Sequence, residues 1–316
     1  MNFIVRVLRR LKRLLLGTPQ LPLANALQFE ALYLSAVGLP QIKSGMGVVF
    51  SMDRALQLHS LLSSYFEKVK DPVPLHVIYR ATSDAHHEAY AQVFEIFKAS
   101  KIFPIRQQSK EVFRKIVLDL LGKSRADWVF FLVDDIIFID DVRLSDFSRY
   151  DLRDFVPSLR LGKHLTRCFT MNQEQVLPSW LSDSRLKEGH VSWSWSEGSC
   201  DWGYPISVDG HFFNRAEFLE MSKQTDFSSP NTFEGNLQKF GPYFKKRQGV
   251  CFDRSKIVNL AINKVQTDNS NLHGDLHQDD LLKVWNDGKR MDFHRFYGVL
   301  NESAHIDTPI HFTERK

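Results

Sequence analysis

The segment WVFFLVDDIIFIDD, residues 128–141, constrains the fold more than any other part of the sequence. Its first six residues, Trp128–Val133, are all large and apolar, which is typical of a strand covered on both faces at the centre of an α/β sheet. Asp134 and Asp135 follow where such a strand should end. Ligands of open α/β sheets bind at the carboxyl ends of strands. Carboxylate oxygens suit Mg²⁺ or Mn²⁺, with a substrate diphosphate completing the shell. A turn capped by two aspartates is the simpler alternative.

Strand-like and helix-like patterns alternate between residues 47 and 135. The predicted strands are 47–51, 75–79, 102–105 and 128–133, and the predicted helices are 54–69, 86–100 and 110–121. This alternation predicts βαβ units, that is, an α/β fold with a mostly parallel central sheet flanked by helices. The second half is less regular, with helices predicted at 215–223 and 232–240. Neither GxxxxGK[ST] nor GxGxxG occurs, so the sequence contains neither a P-loop nor a dinucleotide-binding turn.

Charge and cysteine content exclude several classes of protein. The formal net charge is +4, and five basic residues before position 14 account for all of it. Because the rest of the chain is close to neutral, a nucleic-acid-binding body is not supported. The three cysteines, Cys168, Cys200 and Cys251, are far apart and have no CxxC spacing. They favour a reducing compartment over a disulfide framework or a zinc site.

The first 16 residues predict a basic amphipathic helix. Its apolar side chains fall on one face, and the other face carries Arg6, Arg9, Arg10, Lys12 and Arg13. Such a helix lies in the membrane interface and is attracted to anionic lipid. It is too short and too charged to span a bilayer and has no signal-cleavage pattern. Docking on the protein is the alternative. We expect a cytoplasmic, peripherally membrane-associated protein.

Several motifs, taken in order, resemble those of GT-A glycosyltransferases, most closely family-2-like bacterial enzymes that build surface glycans. The similarity covers residues 46–311. The matching segments are VVFSMDRALQLHSLLSSYF, HVIYRATSD, LVDDI, VDGHFFNRAEF, SSPNTFEGNLQ and YGVLNESAHIDTPIH. The residue pattern itself predicts a membrane-associating helix (1–16) and a linker (17–45), and the resemblance implies one GT-A domain (46–316). That domain would have a nucleotide-binding half (46–141) and an irregular acceptor-binding half (142–316).

The resemblance also implies roles for individual residues. LVDDI corresponds to a compressed metal motif, in which Asp135 binds Mn²⁺ or Mg²⁺ and Asp134 faces the ribose or the second coordination shell. His305 is the candidate late metal ligand. The candidates for contact with the donor nucleotide are Ser51, Asp53, Arg54, Arg80 and Lys115. For Asp53 a helix cap, and for Lys115 a solvated helix face, are open alternatives.

Two acids are candidates for the catalytic base. Glu234 matches an acidic residue at a helix start in the resembling enzymes. We expect it in the first turn of the helix predicted at 232–240, where the helix dipole would keep its carboxylate ionised. Asp209, in the Asp209-Gly210 turn, is the second candidate, and a plain turn is its alternative reading.

These observations predict a metal-dependent, hexosyltransferase-like enzyme. It would move a sugar from a nucleotide-sugar donor to a glycan or lipid-linked acceptor at a membrane surface, with inversion at the anomeric carbon. A nucleotidyltransferase is the first alternative, although such enzymes normally carry a glycine-rich basic loop after the first strand, and FSMDRALQL has no glycine. A catalytically inactive membrane scaffold is the second, and the retained carboxylates argue against it.

Overall fold

The computed structural model describes residues 44–262 and 276–315. The predicted helix at 1–16 and nearly all of the predicted linker lie outside these residues. Within the two described ranges, no helix is both long enough and apolar enough to cross a bilayer.

The elements are numbered in chain order over the described residues. The strands are β1 (Gly45–Met52), β2 (Leu75–Arg80), β3 (Ile102–Arg106), β4 (Trp128–Val133), β5 (Ile136–Phe138), β6 (Phe155–Ser158), β7 (Arg167–Cys168), β8 (Gln173–Glu174), β9 (His190–Ser194), β10 (Phe212–Asn214), β11 (Gln248–Phe252), β12 (Ile257–Leu260), β13 (Lys289–Met291), β14 (His305–Ile306) and β15 (Phe312–Glu314). The α-helices are α1 (Ala55–Lys68), α2 (Asp84–Ile96), α3 (Phe113–Lys123), α4 (Ser145–Ser148), α5 (Arg215–Lys223), α6 (Pro230–Leu237), α7 (Gly241–Phe244) and α8 (Gln278–Asn286).

The central sheet has five strands in the order β10–β4–β1–β2–β3. Strand β1 pairs in parallel with β2 and β4, and β2 pairs in parallel with β3. Strand β10 joins β4 in the antiparallel direction. The prediction of an α/β fold with a mostly parallel central sheet flanked by helices is therefore confirmed.

Strand β4 is buried on both faces, as its composition predicts. Trp128, Phe130 and Leu132 pack into the hydrophobic cluster that contains α1, whereas Val129 and Phe131 pack into the cluster that contains α3 and α5. All five side chains are at most 3% exposed. Burying side chains of this size stabilises the fold by roughly 1.5–3 kcal/mol each, which fixes the carboxyl end of β4 within the sheet.

The turn between β1 and α1 is held by Asp53, which adopts a left-handed backbone conformation with φ of 53°. Its carboxylate accepts hydrogen bonds from the backbone N of Thr82 at 2.8 Å and from the Thr82 hydroxyl at 2.7 Å. The residue at the N-cap of α1 is Arg54, and no side chain caps the helix. The alternative that Asp53 caps α1 is therefore wrong, because its carboxylate ties the ends of β1 and β2 together instead.

The second half of the chain adds small sheets around the carboxyl end of β4. Strand β5 begins directly after Asp135 and pairs with β12 in the antiparallel direction, and β14 pairs in parallel with the other side of β12. This arrangement places Asp135 just before β5, Asn259 within β12 and His305 within β14. Residues far apart in sequence thereby meet beside the acidic pair.

Candidate active site

A cleft of about 320 Å³ opens at the carboxyl ends of β1, β2 and β4. Its floor is apolar, and its rim carries hydroxyl, amide and basic side chains, the usual character of a small-molecule site. The lining residues are Phe50, Ser51, Met52, Arg54, Ile78, Arg80, Thr82, Gln107, Lys110, Phe113, Val133, Asp134, Ser228, Ser229, Pro230 and Asn231. The cleft lies where the strand pattern predicts ligand binding in an open α/β sheet.

Arg54 bridges the two carboxylates that follow β4. Its Nη1 atom lies 3.0 Å from Asp134 Oδ1 and 3.2 Å from Asp135 Oδ2. Asp134 also accepts a hydrogen bond from the Ser51 hydroxyl at 2.7 Å, and Ser51 is 2.6 Å from the Tyr90 hydroxyl. Asp134 is thus fixed by neighbours on β1 and α2. The pair does lie in a turn between β4 and β5, but Asp134 is only 2% exposed and both carboxylates pair with Arg54.

The carboxylate of Asp135 accepts hydrogen bonds from fewer groups than that of Asp134. Burial and the neighbouring carboxylates of Asp134 and Asp209 raise its pKa to about 7, against the opposing effect of Arg54. The Nδ2 atom of Asn259 donates a long hydrogen bond of 3.5 Å to Asp135 Oδ1. The single guanidinium of Arg54 therefore does not offset burial and the two neighbouring carboxylates.

A second group of acids surrounds Arg160, which is 5% exposed. Arg160 Nη2 donates to Asp201 Oδ1 at 2.9 Å, and Nη1 donates to the Ser207 hydroxyl at 3.1 Å. The same Nη1 atom lies 3.6 Å from Asp209 Oδ2. Asp209 interacts electrostatically with Asp135 on one side and with Glu234 on the other. It therefore links the acidic pair of β4 to the Arg160 group.

Glu234 does not lie where the sequence pattern predicts. Helix α6 begins at Pro230, with Ser229 as its N-cap, so Glu234 falls in the second turn and the first turn has no acid. The helix predicted at 232–240 leaves Pro230 outside, but proline is favoured at the first helical position, and the helix starts there. Burial and Asp209 raise the pKa of Glu234 to about 7, although Arg160 opposes this. The expectation that the helix dipole keeps this carboxylate ionised is wrong, because Glu234 is too far from the helix start.

His305 lies beside Asp209, with 3.8 Å between His305 Nε2 and Asp209 Oδ2. Its ring stacks on that of Phe169, with 6.0 Å between ring centroids. Burial and the nearby Arg160 lower the pKa of His305 to about 3, so the imidazole is neutral at physiological pH. A neutral imidazole is the form that binds a metal.

The basic residues predicted to bind the donor separate into two groups. Arg54 and Arg80 line the cleft. Lys115 does not, since its side chain is 74% exposed on α3 and its Nζ atom pairs with Asp119 Oδ2 at 2.5 Å. Its placement matches the solvated-face alternative. Lys110 lines the cleft instead, because a short 3₁₀ turn at Lys110–Val112 precedes α3 and turns this residue towards the carboxyl edge of the sheet.

Besides Lys110, sequence reasoning does not single out Arg160, Asn259 or Thr82. Thr82 lies within the HVIYRATSD segment, but Arg160 and Asn259 belong to no motif and acquire their partners through contacts between distant parts of the chain. Arg160 is 41 residues from Asp201, and Asn259 is 124 residues from Asp135. Only the tertiary fold brings these pairs together, so the sequence contains no signal for them.

The donor set suits a divalent cation in its chemistry. Five buried or half-buried acids face two guanidinium groups, which leaves an excess of negative charge that a cation would offset; these acids are Asp134, Asp135, Asp201, Asp209 and Glu234. Over residues 44–262 and 276–315, no three His, Cys, Asp or Glu side chains form a ready metal-binding group. A cation here would need further oxygen ligands, such as those of a diphosphate.

Comparison with known proteins gives a relative in sequence. No protein-family model matches the chain. The chain is 23% identical over 284 residues to the bifunctional glycosyltransferase pgtA of Dictyostelium discoideum, and the match covers 79% of this chain. The chain spans 36% of the length of that protein. The resemblance to glycosyltransferases indicated by the order of the motifs is thereby confirmed.

Similar solved structures superpose on part of the chain. S. aureus TarS, residues 1–349, has 13% identity and a TM-score of 0.44, covering 68% of this chain and 60% of that one. The mannosyltransferase PcManGT from Pyrobaculum calidifontis, in complex with GDP-Man and Mn²⁺, has 14% identity and a TM-score of 0.31. That match covers 45% of this chain and 47% of PcManGT.

Proposed function

We propose that this protein is a metal-dependent, inverting glycosyltransferase that uses a nucleotide-sugar donor. The observation that carries the proposal is the continuity between the cleft at the ends of β1, β2 and β4 and the acids beside it. Asp134 belongs to the cleft lining, Asp135 follows it, and Asp209 and Glu234 lie beyond. The sequence similarity to a glycosyltransferase supports the same conclusion.

The cleft supports the binding of a nucleoside diphosphate. Its apolar floor, formed by Phe50, Ile78 and Phe113, suits the flat faces of a base and a sugar. Arg80 and Lys110 on the rim supply positive charge for phosphate oxygens. Ser51, at the end of β1, donates a hydrogen bond to Asp134, which follows β4. A ribose hydroxyl could form hydrogen bonds with this pair of side chains.

A divalent cation would be held by Asp135 and His305, with oxygen atoms of the diphosphate. When bound, such a cation acts as a Lewis acid that neutralises charge on the leaving diphosphate. Arg54 sits against both Asp134 and Asp135 and is in position to offset negative charge on the same side. The excess of buried acids supports the proposed cation.

Glu234 is the proposed general base. It takes the proton from the acceptor hydroxyl while that oxygen attacks the anomeric carbon opposite the diphosphate, whose bond to the sugar breaks with the electron pair leaving on phosphate oxygen. A pKa of about 7 suits this role, since a base is most effective when its pKa lies near the working pH. Asp209 is the alternative base. Because it contacts Arg160 and His305, a structural role for Asp209 is better supported.

The proposed acceptor is a glycan or a lipid-linked saccharide at a membrane surface. Support comes from the basic amphipathic pattern of residues 1–16, which favours attachment to anionic lipid. We propose a peripheral association on the cytoplasmic side, because the cysteine pattern favours a reducing compartment.

The alternatives predicted from the sequence have less support. In a nucleotidyltransferase, a glycine-rich basic loop would follow β1. Here only Asp53 and Arg54 separate β1 from α1, which leaves no room for such a loop. An inactive scaffold would not need buried carboxylates with raised pKa values, since burying them is costly.

A thermal-shift panel of UDP-, GDP-, CMP- and dTDP-sugars, each with and without Mn²⁺, tests the proposal. We expect one nucleotide class to raise the melting temperature, with a larger rise when Mn²⁺ is present. Asp135→Ala should remove the Mn²⁺-dependent part of the shift, because the carboxylate that shares the cation with the diphosphate is lost. No shift with any donor would contradict the proposed activity, and equal shifts with and without Mn²⁺ would contradict metal dependence.

A further inference from the structure

Asn259 lies at the centre of the acidic site and is 2% exposed. Its Nδ2 atom donates to Asp135 Oδ1 at 3.5 Å, and its side chain also hydrogen-bonds to Asp209. When both carboxylates are ionised, as in a metal-bound state, they only accept hydrogen bonds, so the amide nitrogen faces both acids. The orientation of the amide group is therefore set by its neighbours, because the reversed orientation would place oxygen against two carboxylates.

The Oδ1 atom of Asn259 is buried and has no hydrogen-bond partner. Leaving such an acceptor unsatisfied is unfavourable, so a buried amide oxygen normally has a partner. The other buried asparagine of this region behaves normally. Asn301 Oδ1 accepts from the Ser255 hydroxyl at 3.2 Å, and its Nδ2 donates to Ser303 O at 2.6 Å.

The strand pairing puts Asn259 between the two residues proposed to hold the cation. On one side, Asn259 is the register partner of Ile136, the residue after Asp135, and on the other side it is the partner of His305. Amide oxygens are hard ligands of the kind that Mg²⁺ and Mn²⁺ accept. The unsatisfied Oδ1 atom of Asn259 could therefore supply an additional oxygen ligand to a cation held by Asp135 and His305.

We propose that Asn259 Oδ1 is a further ligand of the divalent cation, alongside Asp135 and His305. The inference rests on the proposed metal dependence. It assigns the amide two tasks at once: Nδ2 keeps Asp135 and Asp209 at a fixed spacing, and Oδ1 completes the protein's share of the coordination shell.

Titration of the purified protein with Mn²⁺, alone and in the presence of UDP or GDP, measured by calorimetry, tests this role without using activity. Asn259→Leu has nearly the same size but no oxygen, and we expect its affinity for Mn²⁺ to fall by at least about tenfold, as for the loss of one metal-site partner. Asn259→Asp keeps an oxygen at the same position. We expect it to bind Mn²⁺ at least as tightly as the wild type and to show a larger rise in melting temperature on adding Mn²⁺.

Asn301→Leu is the matched control, since it removes a buried amide whose oxygen is already satisfied. It should lower the melting temperature and leave Mn²⁺ affinity unchanged. Wild-type affinity in Asn259→Leu, together with lost affinity in Asp135→Ala, would overturn the role of Asn259 and leave the metal site intact. Weak binding in both Asn259→Leu and Asn259→Asp would also overturn it, because only the spacing role of Nδ2 would then matter. Absence of Mn²⁺ binding in the wild type, both alone and in the presence of UDP or GDP, would instead contradict the proposed metal dependence itself.

Discussion

Arg160 Nη1 lies 3.6 Å from Asp209 Oδ2, and Asp209 in turn acts on Asp135, so this contact joins the acids around Arg160 to the acidic pair of β4. Arg160 is the shared cation of Asp201 and Asp209, and its charge also acts on Glu234. Both candidate bases therefore depend on one buried guanidinium group. Its removal should affect stability and catalysis together.

We expect Arg160→Gln to lower the free energy of unfolding by ~3–5 kcal/mol at pH 7, because Asp201 and Asp209 remain buried without their cation. The loss should be smaller at pH 5, because burial raises the pKa of Asp209 and a protonated Asp209 does not need a cation. Urea unfolding at both pH values measures it. Arg153→Gln is the control, since the Arg153–Asp151 pair is about 40% exposed and such pairs contribute ~0–1 kcal/mol. Equal losses in the free energy of unfolding of the two variants would contradict the conclusion that Asp201 and Asp209 both depend on Arg160.

The raised pKa of Glu234 predicts how stability changes with pH. The folded state binds this proton more tightly than the unfolded state, whose pKa is near 4.5. The contribution of the proton to stability is therefore present at low pH and is lost as pH rises from about 4.5 through about 7. Glu234→Gln cannot ionise, so relative to the wild type it should become more stable by up to ~3 kcal/mol between pH 5 and pH 8. A constant difference over this range, measured by urea unfolding, would show that Glu234 is ionised in the folded state.

The two lysines near α3 give a matched pair for testing the donor cleft. Lys110 lines the cleft, whereas Lys115 pairs with Asp119 on the outer face of the helix. We expect Lys110→Ala to weaken binding of the preferred nucleoside diphosphate several-fold, because one phosphate-facing charge is lost. Lys115→Ala should bind like the wild type. Calorimetric titration measures both affinities, and a larger effect of Lys115→Ala would place the diphosphate elsewhere.

The sequence predicts the parts of this molecule that depend on local pattern. The all-apolar β4, the acids after it and helix α5 were located to the residue, because a buried strand and an amphipathic helix each have their own period. The predictions were wrong or incomplete where the conformation of a residue depends on the structure next to it. Pro230 was left outside the predicted helix but starts α6, which moved Glu234 out of the first turn. Lys110 was missed because its orientation depends on a short 3₁₀ turn.

The site itself was predicted in part. Ser51, Arg54, Arg80 and Asp134 meet at one cleft because the parallel strands of an α/β sheet all end at the same edge. Arg160 and Asn259 could not be predicted, since their partners are brought to them by the small sheets of the second half. Such contacts depend on loop paths, for which one sequence gives no periodic signal.

Membrane attachment through residues 1–16 can be tested apart from catalysis. Five basic side chains near an anionic surface contribute about 1 kcal/mol each, and the leucine-rich face adds burial. A protein lacking residues 1–16 should no longer sediment with phosphatidylserine-containing liposomes but should still bind its donor. Replacing the five basic residues with glutamine is the control for charge. Equal sedimentation of the full-length and shortened proteins would contradict attachment by this segment.

The last prediction separates the two candidate bases. Glu234→Gln keeps the size and hydrogen-bonding ability of the side chain but cannot accept a proton, so turnover should fall by ~10²–10⁴-fold. Turnover can be followed as release of nucleoside diphosphate from the donor that gives the largest thermal shift, with water as the acceptor. Donor and Mn²⁺ affinities should stay unchanged, because Glu234 is not among the residues that line the cleft. Asp209→Asn is the comparison, and it should disturb His305 and Arg160 and therefore weaken Mn²⁺ binding as well as turnover. If Glu234→Gln keeps near-normal turnover while Asp209→Asn loses turnover at unchanged Mn²⁺ affinity, the base is Asp209.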